Sequence, residues 1–332
     1  MVGRGSGIVS HRYSRQIVLP EVGEAGQSRL NAAAVVVVGA GGLGCAVLQY
    51  LCAAGVGQLT IVDHDRVEES NLHRQPLYRV SDLGLPKAQT ARKALLEANP
   101  EVRISALAER LTPANVADLV AGGDLVVDAA DSFAVTYSLS DECSKTGKAL
   151  VSASVLGLGG YVGAFCGGGP SYRTVFPDMP RQAGSCSQSG VLGTAVGVMG
   201  TLQAHMVLAL LLGLEPSPLG QLVTVDFRSL RFGGFSFVGA EESTGAVLRF
   251  ISPVDVSDND MVVDLRSLAE APNSPFASTL RVEVAEIESG SRSLPQGSRI
   301  VLCCRTGVRA WRAARALQRF GHSNLTLLAL NE

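Results

Sequence analysis

The feature that most constrains this chain is a glycine loop set between a strand and a helix. Ala33–Val38 is a short, apolar, β-branched run, GAGGLG follows at Gly39–Gly44, and an apolar helical stretch then reaches Ala54. Gly39, Gly41 and Gly44 make the spacing GxGxxG. Glycines there permit a tight turn and close approach of the backbone to phosphates, and the helix N-terminus adds unpaired N–H groups. Gln58–Val62 reads as the next strand and ends in Asp63, about where a ribose-binding carboxylate is expected. This βαβ unit predicts an α/β fold on a Rossmann-like, mostly parallel sheet.

The pattern continues downstream. Pro86–Asn99 reads as a helix with Pro86 in its first turn, and Val102–Ala106 and Asp124–Val127 read as strands. Leu150–Cys166 reads as extended strands joined at Gly157–Gly160. Gly167–Ser189 is rich in Gly, Pro and Ser and is expected to be a long functional loop. Gly190–Leu212 follows as an apolar helix stopped by Gly213, then strands over Leu222–Phe237. A second, small α/β unit begins near Leu248, with strands at Met261–Val263, Ile300–Cys303 and Leu325–Leu328 and a helix ending at Gly321. The expected division is a flexible lead-in (1–10), a large domain (11–238), a polar linker (239–247) and a small domain (248–332).

Charge and cysteine usage narrow the function classes. A net charge of −2 gives no electrostatic case for a nucleic-acid partner. Seven cysteines are an odd number in a chain of 332 residues, which argues against a secreted disulfide framework and for the cytoplasm. There is no apolar segment of signal-peptide type at the N-terminus. Within Gly190–Leu214, the uninterrupted apolar part is only Met206–Leu212, too short for a bilayer, so no membrane partner is expected.

Alone, the glycine loop points first to a nicotinamide or flavin domain. Residues further on argue otherwise: Asn71, Arg74 and Gln75 in ESNLHRQ, Lys87 in GLPKAQ, and Asp131 in DAADS. None is needed to hold a dinucleotide. An ATP-cleaving site, by contrast, needs fixed cations for the charge that develops on phosphate oxygens, and a carboxylate for Mg²⁺. Lys87 stands at the start of a predicted helix, where the macrodipole disfavours a cation. Asp131 follows a strand at its carboxyl end, where α/β sheets bind ligands, although taken singly it is also an ordinary helix N-cap. Singly, too, Arg74 reads as a solvated arginine and Asn71 as a turn residue.

Together these strings resemble the MoeB/ThiF family, whose fold is shared with ubiquitin-activating enzymes. The matching strings are RYSRQI (12–17), VVVVGAGGLGC (35–45), VDHDRVEESNLHRQ (62–75), GLPKA (84–88), DAADS (128–132) and SCSQSGVLG (185–193). The resemblance implies ATP- and Mg²⁺-dependent adenylation of the C-terminal glycine of a ubiquitin-like sulfur-carrier protein ending in Gly-Gly. It places Gly39, Gly41, Gly42, Gly44, Asp63 and Asp65 in the nucleotide-binding set, with Asp63 on the ribose. It puts Asn71, Arg74 and Gln75 on the phosphates, Lys87 on the α-phosphate and Asp131 on Mg²⁺. Arg15 matches an arginine that reaches ATP from the neighbouring subunit, which implies a homodimer with composite sites. Many members bind a structural zinc through two CxxC pairs. Here SYRT (171–174) stands at the first and the second is absent after Phe227, so no zinc is expected.

Two cysteines stand where sulfur chemistry is expected. Cys186, in RQAGSCSQSG, aligns with the loop cysteine that in relatives forms a thioester or disulfide with the carrier; the bland alternative is an inert loop thiol. Cys304 opens CRTGVR between a strand and a helix, where loop N–H groups, the helix dipole, Arg305 and Arg309 favour a reactive thiolate. That loop resembles the rhodanese pattern CxxGxR, with Asp264-Leu265-Arg266 matching the strand-end DxR, though NSPFASTLRVEV replaces the usual HIPGA segment and the unit is short for its class. Cys303 is expected to face the core. Arg312, Arg315 and Arg319 line one helix face, read either as solvated or as a docking surface for an acidic carrier. The expected sequence is adenylation, then attack by a persulfide on Cys304 charged by a cysteine desulfurase or thiosulfate, with Cys186 resolving the product to a carrier thiocarboxylate. The rivals are adenylation of a peptide or small acid without sulfur, a nicotinamide dehydrogenase, and a non-catalytic scaffold.

Overall fold

The computed structural model describes residues 11–180, 190–242 and 247–330. Its central strand is β1 (Ala34–Val38): Val35 and Val37 enter one core and Val36 and Val38 another, so both faces are covered. A strand of β-branched residues buried on both sides is what a helix-covered parallel sheet demands. Before β1 lie α1 (Ser14–Ile17) and α2 (Gly23–Ala32), and after it come α3 (Gly42–Ala53), β2 (Gln58–Val62), α4 (Lys87–Ala98) and β3 (Arg103–Leu107). The chain then crosses to the other side of β1 through α5 (Val116–Ala121), β4 (Leu125–Asp128), α6 (Phe133–Thr146) and β5 (Ala149–Leu156). Lys148 closes α5 by donating to the carbonyls of Val120, Ala121 and Gly123 at 2.5–3.0 Å, a cation where unpaired carbonyls and the dipole favour one.

Beyond β5 the sheet turns antiparallel. β6 (Gly159–Cys166), α7 (Tyr172–Val175), α8 (Gly193–Leu212), β7 (Gln221–Asp226) and β8 (Arg231–Ser236) complete it, giving the order β3-β2-β1-β4-β5-β6-β7-β8. Among the described residues α8 is the one helix long and apolar enough to cross a membrane by length and composition, and 56% of its apolar window is buried inside the fold, as in a core helix. Gly213 ends it in the left-handed conformation, as expected.

The second unit contains β9 (Arg249–Phe250), β10 (Met261–Asp264), β11 (Leu280–Arg281), α9 (Val284–Glu288), β12 (Ile300–Cys304), α10 (Val308–Arg319) and β13 (Leu325–Ala329). Its strands pair in parallel in the order β11-β10-β12-β13-β9. A unit of about 80 residues is marginal as a free-standing core, and this one is not free-standing. One continuous apolar cluster runs from Val36 of β1 and Leu139 of α6 to Leu302 of β12 and Trp311 of α10. Trp311 packs on Tyr137 at 5.1 Å between ring centroids, and the guanidinium of Arg173 lies over both rings.

Several sequence expectations change. Pro86 is the extended N-cap of α4 rather than part of its first turn, so Lys87 is the first helical residue. The stretch expected to be a long loop holds the helical turn α7, and its next residues are pinned: Tyr137 donates to the Phe176 carbonyl, and Arg315 to Asp178 and the Pro177 carbonyl. In the stretch expected to be a linker, Glu242 accepts from the Ser171 N–H and hydroxyl. Of the arginine face on α10, Arg312 pairs with Glu288 and Arg315 with Asp178, so those two cations are engaged within the chain.

Candidate active site

In the order β3-β2-β1-β4 the connections leave β1 in opposite directions, which opens a crevice at the carboxyl ends of β1 and β4. A cavity of about 220 Å³ lies there. Gly39 has φ +97°, and a Cβ on it would stand 2.5 Å from the Ala129 carbonyl oxygen, so only glycine allows β1 to turn beside β4. Gly41 is the N-cap of α3 with no side-chain cap, which leaves the first N–H groups of that helix open to the cavity. Gly42 lines the cavity too, whereas Gly44 lies behind it, its Cα pressed against the Gly39 carbonyl.

Asp63, at the end of β2, is buried and oriented by two backbone donors: the Ala40 N–H to Oδ2 and the Asp65 N–H to Oδ1, both at 2.7 Å. Lys87 is also buried, and its Nζ meets Asp65 Oδ2 at 2.9 Å. The ion pair explains how a cation survives in the first turn of α4. Burial opposes ionisation of Asp65, but the Lys87 hydrogen bond and charge outweigh it, helped by His64 and Arg110, and hold the carboxyl below its usual range.

Asn71, Arg74 and Gln75 form one hydrogen-bonded set on the facing wall. Asn71 Oδ1 accepts from Arg74 at 2.7 Å and Gln75 at 3.4 Å, and Asn71 donates to Glu68 at 3.2 Å. Gln75 Oε1 is buried and without a partner among the described residues, and Gln75 lines the cavity. Asp131 reaches the same cavity from the β4–α6 turn. The N-cap of α6 is Ser132, so capping does not explain Asp131, and its carboxylate makes no side-chain hydrogen bond to another described residue. An exposed carboxylate lining the same cavity as Arg74 and Lys87 has the chemistry to hold Mg²⁺ on a polyphosphate.

Some expected site residues lie elsewhere. Arg15 is exposed on α1 and does not line the cavity of its own chain. Cys186 lies outside the described residues. Cys304 is not a loop residue: it is the last residue of β12, paired with Ala329 and fully buried. Its Sγ does accept from the N–H groups of Gly307 (3.2 Å) and Ala310 (3.4 Å), as the loop pattern predicts. Arg309, expected to support that sulfur, interacts with it and also pairs with Glu270 and donates to the Leu265 carbonyl. Asp264 and Arg266 form a buried ion pair at 3.0 Å beside β12. Cys303 faces the core, and burial pushes its thiol pKa up.

The sequence reading passed over the support beneath Asp131. Asp128 is fully buried at the end of β4 and accepts from Thr136 (2.7 Å), Ser152 (2.8 Å) and the Ala130 N–H (3.3 Å). Gln203 of α8 donates to the Asp128 and Val151 carbonyls and locks β4 to β5. Burial pushes the Asp128 carboxyl up to about 6, against those hydrogen bonds. Its folded pKa lies above the ordinary carboxylate value near 3.8, so its contribution to stability is complete below that pH and is lost as pH rises through 6. Relative to Asp128→Asn, the wild type is expected to lose roughly 2 kcal/mol of stability between pH 4.5 and 7. Urea titrations of both proteins at the two pH values measure this, and a difference that does not change with pH contradicts it.

The crevice, its glycine turn and its inward Arg and Lys define an α/β protein with a phosphate-receptive switch point. The sequence profile of the ThiF family matches residues 13–244, and the chain belongs to that family. It is 49% identical over 228 residues to the adenylyltransferase and sulfurtransferase MOCS3 of Bos taurus, a match covering 66% of this chain and 50% of that protein. It is 46% identical over 229 residues to the sulfur carrier protein adenylyltransferase of Thermus thermophilus, covering 67% and 84%. The chain thus spans about half the length of the MOCS3 relatives it matches. Among solved structures, E. coli MccB with ATP shares the fold at a TM-score of 0.60 and 22% identity, over 69% of this chain and 72% of MccB.

Proposed function

We propose that this protein adenylates the C-terminal carboxylate of a ubiquitin-like sulfur-carrier protein and passes sulfur to it. The observation that carries the first half is the convergence of Arg74, Lys87 and Asp131 on a glycine-lined crevice, in a chain whose relatives are named for that reaction. The carrier carboxylate attacks the α-phosphorus of ATP, the α–β anhydride bond breaks, and pyrophosphate leaves an acyl-adenylate. No protein nucleophile is needed; fixed charge and positioning do the work. Lys87 faces the α-phosphate, and Arg74 and the open N–H groups of α3 hold the remaining phosphates. Mg²⁺, when bound, neutralises phosphate charge, and Asp131 is the residue to hold it. With the phosphates at Gly41–Gly42 and the ribose at Asp63, the base falls against Glu109–Leu111 and Val135. Carrier-dependent exchange of labelled pyrophosphate into ATP tests this; its absence with every Gly-Gly carrier tried refutes it.

The sulfur half assigns a persulfide to Cys304. Its terminal sulfur attacks the acyl carbon, AMP leaves, and Cys186 cleaves the acyl disulfide. The products are a thiocarboxylate and a Cys186–Cys304 disulfide, which a thiol reductant reopens.

The same reading makes the site composite. Arg15 is exposed beside Val18 (76% exposed) and Leu19 (53%), a basic-apolar surface suited to a second copy of the chain. Mixing inactive Arg15→Ala and Lys87→Ala proteins is then expected to restore up to about a quarter of wild-type exchange, because half the dimers carry one intact site of two. No recovery on mixing contradicts the shared site.

A further inference from the structure

The small C-terminal unit lies outside the family match at residues 13–244, yet it packs behind one wall of the main crevice. Leu111 and Val135 line the main cavity and also a second, smaller one of about 40 Å³. The far wall of that smaller cavity is Phe250, Ser252, Pro253 and Ala329, all from the C-terminal unit. At this cavity a hydrogen bond joins the two units: the Ala114 N–H donates to Ser252 Oγ at 2.9 Å. Ser252 is only 3% exposed, and its own N–H donates to Asp255 at 2.8 Å, so the acceptor is fixed. Phe250 is anchored on its other side, since a Cβ on Gly307 would stand 2.6 Å from its ring. The turn Glu109–Ala114 therefore has the nucleotide crevice on one side and a strut from the second sheet on the other.

We propose that Ser252 and Phe250 are positioning residues for nucleotide binding: the C-terminal unit holds the wall against which the base of ATP lies. Within the large unit the turn is held by Leu111, buried in the core, and by Asn115, which donates to the Arg110 carbonyl at 3.0 Å. Thr112 and Asn115 cap each other locally, but no strand or helix of the large sheet contains residues 109–115. Packing from the second sheet adds to these holds. The C-terminal unit thus has work in the first half-reaction, independent of any sulfur carried by Cys304. This rests on the reading that the crevice takes ATP.

The test uses the full chain and displacement of a fluorescent ATP analogue by MgATP and, separately, by inorganic tripolyphosphate. Ser252→Ala is expected to weaken MgATP about fivefold, the worth of one hydrogen bond, and to leave displacement by tripolyphosphate unchanged, because the phosphates sit on the opposite side of the crevice. Ser252→Thr, which keeps the hydroxyl, is expected to restore MgATP affinity. Trp311, the single tryptophan, lies in the seam and is expected to keep its wild-type emission in both variants. Unchanged MgATP affinity in Ser252→Ala overturns the inference, and so does an equal loss for ATP and tripolyphosphate. Failure of the wild type to bind MgATP at all refutes the adenylation reading itself, and the inference falls with it.

Discussion

Lys87→Ala is expected to cut carrier-dependent ATP–pyrophosphate exchange by about 10²- to 10³-fold, the usual cost of removing one fixed donor from developing oxyanion charge. The fold is expected to survive. Lys87 is buried, but its partner Asp65 has a side chain 52% exposed, so the orphaned carboxylate is solvated. The reverse change is not equivalent. Asp65→Ala strands a buried ammonium in the first turn of α4, where the helix dipole adds to the penalty. Thermal melts beside the exchange assay separate the two effects: Lys87→Ala keeps its Tm and loses exchange, whereas Asp65→Ala loses both. Near-normal exchange in Lys87→Ala contradicts the assignment of Lys87 to the α-phosphate.

The second large effect belongs to Cys304. Cys304→Ser keeps an acceptor for the Gly307 and Ala310 N–H groups but cannot hold sulfane sulfur. Thiocarboxylate formation is expected to fall by more than about 10²-fold, to the uncatalysed background. Adenylate formation is expected to stay within about twofold, since the residue lies outside the nucleotide cavity. Intact mass of the carrier reads both steps in one experiment, because adenylation and oxygen-to-sulfur exchange change the mass differently. Sulfur incorporation that persists in Cys304→Ser assigns the transfer to another thiol.

Much of this was legible in the sequence because it is local. The valine run of β1, the glycine turn and the strand-end Asp63 declare themselves by period and spacing, and Lys87 by standing where a stable helix prefers an anion. The rest depends on parts of the chain that meet only on folding. Trp311 and Tyr137 share no pattern, yet their contact fuses the two sheets. Glu109–Leu111 carries no motif of its own and lines the crevice. Cys304 read as a loop residue because CRTGVR follows an apolar run, but its pairing with Ala329 carries β12 one residue further and buries the thiol. Asp128 was overlooked beside Asp131 because burial, which separates a supporting carboxylate from a ligand-facing one, has no local signature.

Activation of a carrier C-terminus at this crevice is read out by intact-mass analysis of candidate carriers incubated with enzyme and MgATP. A carrier species heavier by one adenylyl group is expected, with stoichiometric pyrophosphate and the loss of both in Lys87→Ala. ATP turnover that is indifferent to the carrier, or adenylation that persists in Lys87→Ala, would contradict it.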